Sequence, residues 1–228
     1  STQNAENFKG WAHMTCRGVS YHDANACAKA STDENAAEPA ATSSNSCPRR
    51  LFLPTADTRL IALNADTGKV CEDFGDNGAI DLRHNVGGFA PGGYYSTSPP
   101  AVTKDLVVVG GHVTDNISTD EPSGVIRAYD VRTGKLVWNW DSGNPEATAP
   151  IAEGETYTRN SPNMWSMFAV DEDLGMLYLP MGNQTPDQYG GDRTEDSERY
   201  SAGVTALDIN TGKVRWYRQI THHDLWDM

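Results

Sequence analysis

The densest chemistry in the chain is Thr221-His222-His223-Asp224-Leu225-Trp226-Asp227-Met228, which packs two histidines, two carboxylates and a tryptophan into eight residues. Imidazole and carboxylate groups move protons near neutral pH, and a flat indole stacks on planar molecules. Asp227 stands between Trp226 and Met228, and an apolar surround raises a carboxyl pKa toward the range of a general base. A turn capped by aspartate accounts for the same residues equally well.

Oxygen donors cluster elsewhere. Asp115-Asn116 is followed by Asp120-Glu121, and Asn183 and Thr185 stand in the corresponding stretch further along. An oxygen-only shell is what Ca²⁺ or Mg²⁺ takes, while Asp and Asn are also the usual residues of turns. Trp165 follows a turn (Asn160-Ser161-Pro162-Asn163) and precedes a strand, so it can project from a sheet edge as a stacking plate. Simple core packing is the plainer reading of such a tryptophan. Near the start, Trp11, His13, Cys16, Arg17, Tyr21 and His22 bring basic and aromatic groups together in an acidic protein, as a site or as an ordinary surface loop.

The elements that must position these groups are hairpins. Val125 to Trp140 reads as an alternating strand, a tight turn at Gly134 and a second alternating strand ending in tryptophan. The phrase recurs at Leu60 to Val70, with Gly68, and at Val204 to Trp216, with Gly212. Ala101-Val102 and Asp105 to Gly111 precede the second hairpin, and Met167 to Asp171 and Gly175 to Pro180 precede the third. Each unit is then four short antiparallel strands, and a repeated four-stranded sheet with an aromatic near its last strand is the pattern of propeller blades. The expected class is all-β, with residues 1–47 irregular, 48–100 the first blade and a long connection, 100–141 the second blade, and 142–228 the third blade and the start of another. Polar insertions at His112 to Ser123 and Gly182 to Tyr200 exceed what blade turns need, which points to a site on one face.

The totals exclude some classes. With 228 residues, 38% hydrophobic and 21% charged, the chain can bury a large core. A net charge of −13 disfavours nucleic acid and anionic membrane surfaces as partners. No run of apolar residues is long enough to cross a membrane, and the chain opens and stops in mid-phrase, as an excised piece of a longer protein would. Cys16, Cys27, Cys47 and Cys71 lack paired CxxC spacing, so disulfides in an oxidising compartment are expected rather than zinc. Cys27 and Cys47 bracket a polar loop that a bridge would restrain, but spacing alone leaves the pairing open.

Taken together, several phrases resemble the quinoprotein dehydrogenases that use pyrroloquinoline quinone (PQQ), in particular the membrane-bound glucose dehydrogenase branch with quinate dehydrogenase. They are His13 to Tyr21, Cys47-Pro48-Arg49-Arg50, Thr97-Ser98-Pro99-Pro100, Val113-Thr114-Asp115-Asn116, Ser123 to Arg127, Asn160-Ser161-Pro162-Asn163, Leu179-Pro180-Met181-Gly182 and His222 to Met228. They span nearly the whole chain in order. The resemblance implies an eight-bladed propeller, of which about three blades are present.

It implies further that Trp165 stacks on the quinone and that Arg17 contacts its oxygens or carboxylates. Asp115, Asn116 and Thr185, with Asn183 beside them, fall where the branch holds Ca²⁺ or Mg²⁺. Asp227 matches the proton acceptor, and His13 lies where the sugar-oxidising branch contacts substrate. The implied parent is a periplasmic enzyme of the bacterial inner membrane that oxidises glucose or another aldose rather than quinate or shikimate, and passes electrons to ubiquinone through a membrane anchor. Three departures stand out: Val70-Cys71 replaces the tryptophan expected at the end of the first repeat, Cys27 is an extra cysteine in the inserted loop, and the later blades are absent. A three-blade piece is therefore expected to lack turnover and to self-associate through open strand edges. The competing class is a non-catalytic propeller scaffold, which shares the repeat but lacks the Asp-Asn insertion and the His-His-Asp-Leu-Trp-Asp phrase.

Overall fold

The computed structural model describes residues 18–26 and 47–228. Among them, three four-stranded antiparallel sheets follow one another along the chain. The first contains β1 (Ser20–Asp23), β2 (Arg49–Pro54), β3 (Arg59–Asn64) and β4 (Ala79–Asp81). The second runs β6 (Ala101–Val102), β7 (Leu106–Val109), β9 (Ile126–Asp130) and β10 (Leu136–Trp140), and the third β11 (Ala169–Asp171), β12 (Met176–Met181), β13 (Gly203–Asp208) and β14 (Val214–Gln219). β1 was not foreseen: it pairs with β2 across the intervening loop, so the first sheet draws its outer strand from the stretch expected to be irregular.

Each hairpin turn is built by its own sequence. The Asn64 side-chain oxygen accepts the N–H groups of Asp66 and Thr67, Asp130 does the same for Arg132 and Thr133, and Asp208 for Asn210 and Thr211. Such side-chain turns place the following residue at positive φ, and Gly68, Gly134 and Gly212 supply it at 70°, 73° and 68°.

The glycine turns are also where neighbouring sheets dock. Trp138 of β10 is buried, lies against Gly212 where a Cβ would come within 2.6 Å of the indole, and donates its N–H to the Ile209 carbonyl at 3.0 Å. The first sheet, with no tryptophan at this place, uses backbone: Gly75 packs on Gly134 and donates to the Thr133 carbonyl at 2.9 Å. Buried Arg50 adds a bond to the Arg132 carbonyl at 2.7 Å.

Two apolar clusters result. One joins the first and second sheets around Phe52, Leu60, Phe74, Val107 and Tyr129, and the other joins the second and third around Val108, Ile126, Trp138, Leu177 and Leu207. Cys47 and Cys71 form a disulfide within the first cluster, so Cys47 bonds to Cys71 and does not close the polar loop onto Cys27. Cys16 and Cys27 lie outside the described residues.

The insertions make their own structure. β5 (Tyr94–Tyr95) pairs with β8 (His112–Val113), tying the long first connection to the insertion that carries Asp115. Within the insertion at 182–200, α1 (Glu195–Arg199) starts on Thr194, whose side chain caps the Ser197 N–H.

Candidate cofactor and cation site

Four loops converge at one place. A small cavity of about 100 Å³ is lined by His112, Val113, Asp115, Asn163, Trp165, Thr185, Asp187 and Asp227. A wider one of about 260 Å³ adjoins it and shares Trp165, Asp187 and Asp227 while adding Asn183 and Asp224. Asp115, Trp165, Thr185 and Asp227, drawn from four separate stretches of sequence, thus share a single cavity, with Asn183 on its neighbour. Asn116 lines neither; it is exposed at φ 53°, and its side chain bonds to Asp115 and to the Gln188 N–H. Arg17 and His13 lie outside the described residues.

Trp165 is held by its backbone and presents its ring. Its carbonyl accepts the hydroxyls of Thr97 at 2.7 Å and Ser98 at 2.8 Å. One edge of the indole passes over Gly182, where a Cβ would stand 3.3 Å from Nε1. The ring remains 44% exposed, in contrast to buried Trp138 and Trp140. This is a plate on the site's wall, not a core residue.

The Asp227 turn is fixed by its neighbour. Asp224 is buried, and its carboxylate accepts the N–H groups of Trp226 and Met228 at 3.0 Å each and the Asn183 amide at 3.1 Å. Burial pushes the Asp224 pKa up, but these donors and the nearby Arg193 outweigh it and hold the group below the usual carboxylate range. Arg193 donates to the Asp187 carbonyl at 3.0 Å and the Asp224 carbonyl at 2.7 Å, joining the two loops. The apolar enclosure expected for Asp227 does not form: Asp227 is exposed, Trp226 and Met228 are 69% and 87% exposed, and the carboxylates of Asp115 and Asp187 lie beside it.

Those carboxylates reveal a residue that the sequence reading passed over. Ligand oxygens of Asp115, Asp187 and Asp227 lie within 4.8 Å of one another. Asp187 follows Thr185-Pro186 in a stretch that composition alone marks as a turn, and only the fold shows where it points. Burial, then the charges of Asp115 and Asp227, push its pKa up to about 8. Around the triad, buried oxygens of Asn163, Asn183 and Thr185 have no hydrogen-bond partner among the described residues. Like charges held together beside unsatisfied oxygens are costly without a compensating cation, so this donor set fits a hard divalent ion. The exposed indole beside it fits a planar cofactor.

The family model described as "PQQ: Glucose/ethanol/alcohol dehydrogenase, beta-propeller domain" matches residues 1–228. The chain belongs to this PQQ dehydrogenase β-propeller family. Quinoprotein glucose dehydrogenase A of Acinetobacter calcoaceticus is 50% identical over 220 residues, which is 96% of this chain and 27% of that protein. Quinoprotein glucose dehydrogenase of Escherichia coli is 47% identical over 96% of the chain and 26% of that protein. Quinate/shikimate dehydrogenase (quinone) of Acinetobacter baylyi is 42% identical over 93% and 26%. The chain therefore spans about a quarter of the length of the curated relatives it matches. Among solved structures, quinohemoprotein alcohol dehydrogenase from Comamonas testosteroni superposes with a TM-score of 0.59 at 25% identity, covering 78% of this chain and 27% of that one. The three sheets are accordingly a part of a PQQ-family propeller. Among the described residues no helix is long and apolar enough to cross a membrane.

Proposed function

We propose that this chain forms the cofactor-facing sector of a PQQ-dependent dehydrogenase that oxidises a hydroxyl of glucose or another aldose. The observation that carries the reading is the meeting of Trp165, Asp115, Thr185 and Asp227 around one cavity. Glucose ranks first because the glucose dehydrogenases are 50% and 47% identical, against 42% for the quinate/shikimate enzyme, which keeps cyclitols as the second substrate class.

When bound, PQQ accepts the two electrons removed from the alcohol carbon, and a Ca²⁺ or Mg²⁺ ion supplies Lewis-acid polarisation. Trp165 gives the cofactor a stacking face whose position is set by Thr97 and Ser98. Asp115, Thr185 and Asn183 offer oxygens to the cation. Asp227, exposed at the cavity mouth, takes the proton of the substrate hydroxyl on a carboxylate oxygen. Its turn is anchored by Asp224, so the base is presented in one orientation rather than searched for. Arg17 and His13 are assigned to cofactor and substrate contact on resemblance alone. The membrane context, periplasmic side and ubiquinone as acceptor belong to the same proposal for the whole protein.

The test is reconstitution of the intact protein with PQQ and Ca²⁺ or Mg²⁺, followed by dye reduction on a panel of aldoses and cyclitols. Bound quinone absorbance with aldose-dependent reduction, abolished in Asp227→Asn, is the expected result. A protein that retains no quinone refutes the reading. Turnover only on cyclitols transfers the assignment to the quinate/shikimate class.

A further inference from the structure

We propose that Asp187 is a direct ligand of the cation, together with Asp115 and Thr185, and that Asn116 is the residue that positions Asp187 rather than a ligand. The inference rests on the cation-binding reading of the cavity and changes its ligand set.

Three observations support it. Asp187 lines the cavity, and one of its buried carboxylate oxygens has no hydrogen-bond partner among the described residues. Thr185, 1% exposed on the same wall, likewise has an unpartnered hydroxyl, and Asn163, 4% exposed, an unpartnered amide oxygen. These buried neutral oxygens point to a ligand that takes electron pairs, which a bare patch of surface acid would not. The third is the division among the carboxylates: Asp115 and Asp187 are half-buried, while Asp227 is exposed. The two enclosed groups suit permanent ligation, and the exposed one remains to take the substrate proton.

Asn116 is exposed and lines neither cavity. Its side-chain oxygen accepts the Gln188 N–H at 3.2 Å and its amide donates to Asp115 Oδ2 at 2.7 Å, while Asp115 Oδ1 accepts the Asp187 N–H at 2.9 Å. The Asp-Asn pair therefore grips the backbone on both sides of the Asp187 side chain. Left-handed φ, which Asn tolerates better than most residues, lets one dipeptide make all three bonds.

The probe is Tb³⁺, a Ca²⁺ surrogate whose luminescence is excited through Trp165 beside the cavity, used on the chelator-treated intact protein with Ca²⁺ competition. Asp187→Ala, which leaves no side-chain oxygen at this position, is expected to weaken Tb³⁺ and Ca²⁺ affinity on the order of 100-fold and to add one bound water by luminescence lifetime in H₂O against D₂O. Asn116→Ala is expected to weaken affinity on the order of 10-fold, as loss of an outer-shell partner does, with the water count unchanged. Should Asp187→Ala not fold, as judged by circular dichroism, Asp187→Val replaces it with the same expectation. Wild-type affinity and water count in the Asp187 variant, or an extra water in Asn116→Ala, overturns the proposal. Tight Tb³⁺ binding that shows this pattern in a protein retaining no PQQ leaves the ligand set standing and removes only the dehydrogenase reading. Absence of wild-type Tb³⁺ binding removes the ligand set whatever the quinone result.

Discussion

Asp224→Asn isolates the orientation of the base from its chemistry. The wild-type carboxylate accepts three N–H donors, two from the turn carrying Asp227 and one from Asn183. Hydrogen bonds to a charged acceptor contribute about 1.5–3 kcal/mol and neutral ones about 0.5–1.5 kcal/mol, so removing the charge costs about 1 kcal/mol for each bond, roughly 3 kcal/mol in all. The new amide also turns an N–H₂ toward a former donor. If the turn's competent geometry is required in the transition state, 3 kcal/mol corresponds to a fall in kcat of about 100-fold, at 1.36 kcal/mol per decade. Steady-state dye reduction on the reconstituted protein measures it, with quinone absorbance and cation affinity measured in parallel. The expected pattern is a low kcat, a KM within a few-fold of wild type and retained cofactor. An unchanged kcat, or a loss accounted for wholly by missing cofactor, refutes the reasoning. The pH dependence has a definite sign. The folded-state pKa of Asp224 is depressed, so its contribution is present above the unfolded value near 3.8 and disappears as pH falls through the folded value.

Other outcomes follow from the packing. Trp138→Phe removes the indole N–H from the Ile209 carbonyl and should cost about 1–3 kcal/mol, a fall of about 2–4 °C in the thermal midpoint for each kcal/mol; no shift in calorimetry would show that the indole bond does not tie the sheets. Cys71→Ser opens the bridge to Cys47, which closes a loop of 24 residues, and should destabilise by about 3 kcal/mol in urea unfolding. His22 donates to the Lys104 carbonyl at 3.1 Å, and burial lowers its pKa. Its neutral form is favoured in the fold, so stability should decline as pH drops below about 6.5, and His22→Gln should flatten that slope.

What could be read from sequence was whatever the chain settles locally. The three hairpins announce themselves because an Asn or Asp, a Thr-Gly and an alternating strand all lie within about a dozen residues, and the structure builds each turn from those side chains. Trp165, Asp115, Thr185 and Asp227 could be singled out because each stands in an unusual phrase, and the cavity brings them together. What stayed hidden depends on distant partners. β1 has only four residues and finds β2 on the far side of a polar loop. Cys47 had no local reason to choose Cys71. Asp187 and Asn160 look like any turn residue until the neighbouring sheets set their surroundings, and the enclosure expected around Asp227 failed because Trp226 and Met228 point outward.

Asn160 spans the gap between two insertions: its side-chain oxygen takes the Glu121 N–H and its amide reaches the Thr185 carbonyl at 2.6 Å. The insertion carrying Asp115 and the one carrying Thr185 are therefore mechanically a single part. Exchanging either loop alone for that of a relative, as one would to alter ion preference or substrate range, would pull on its counterpart through this amide; such a graft should be made with both loops and the Asn160 segment moved as a unit.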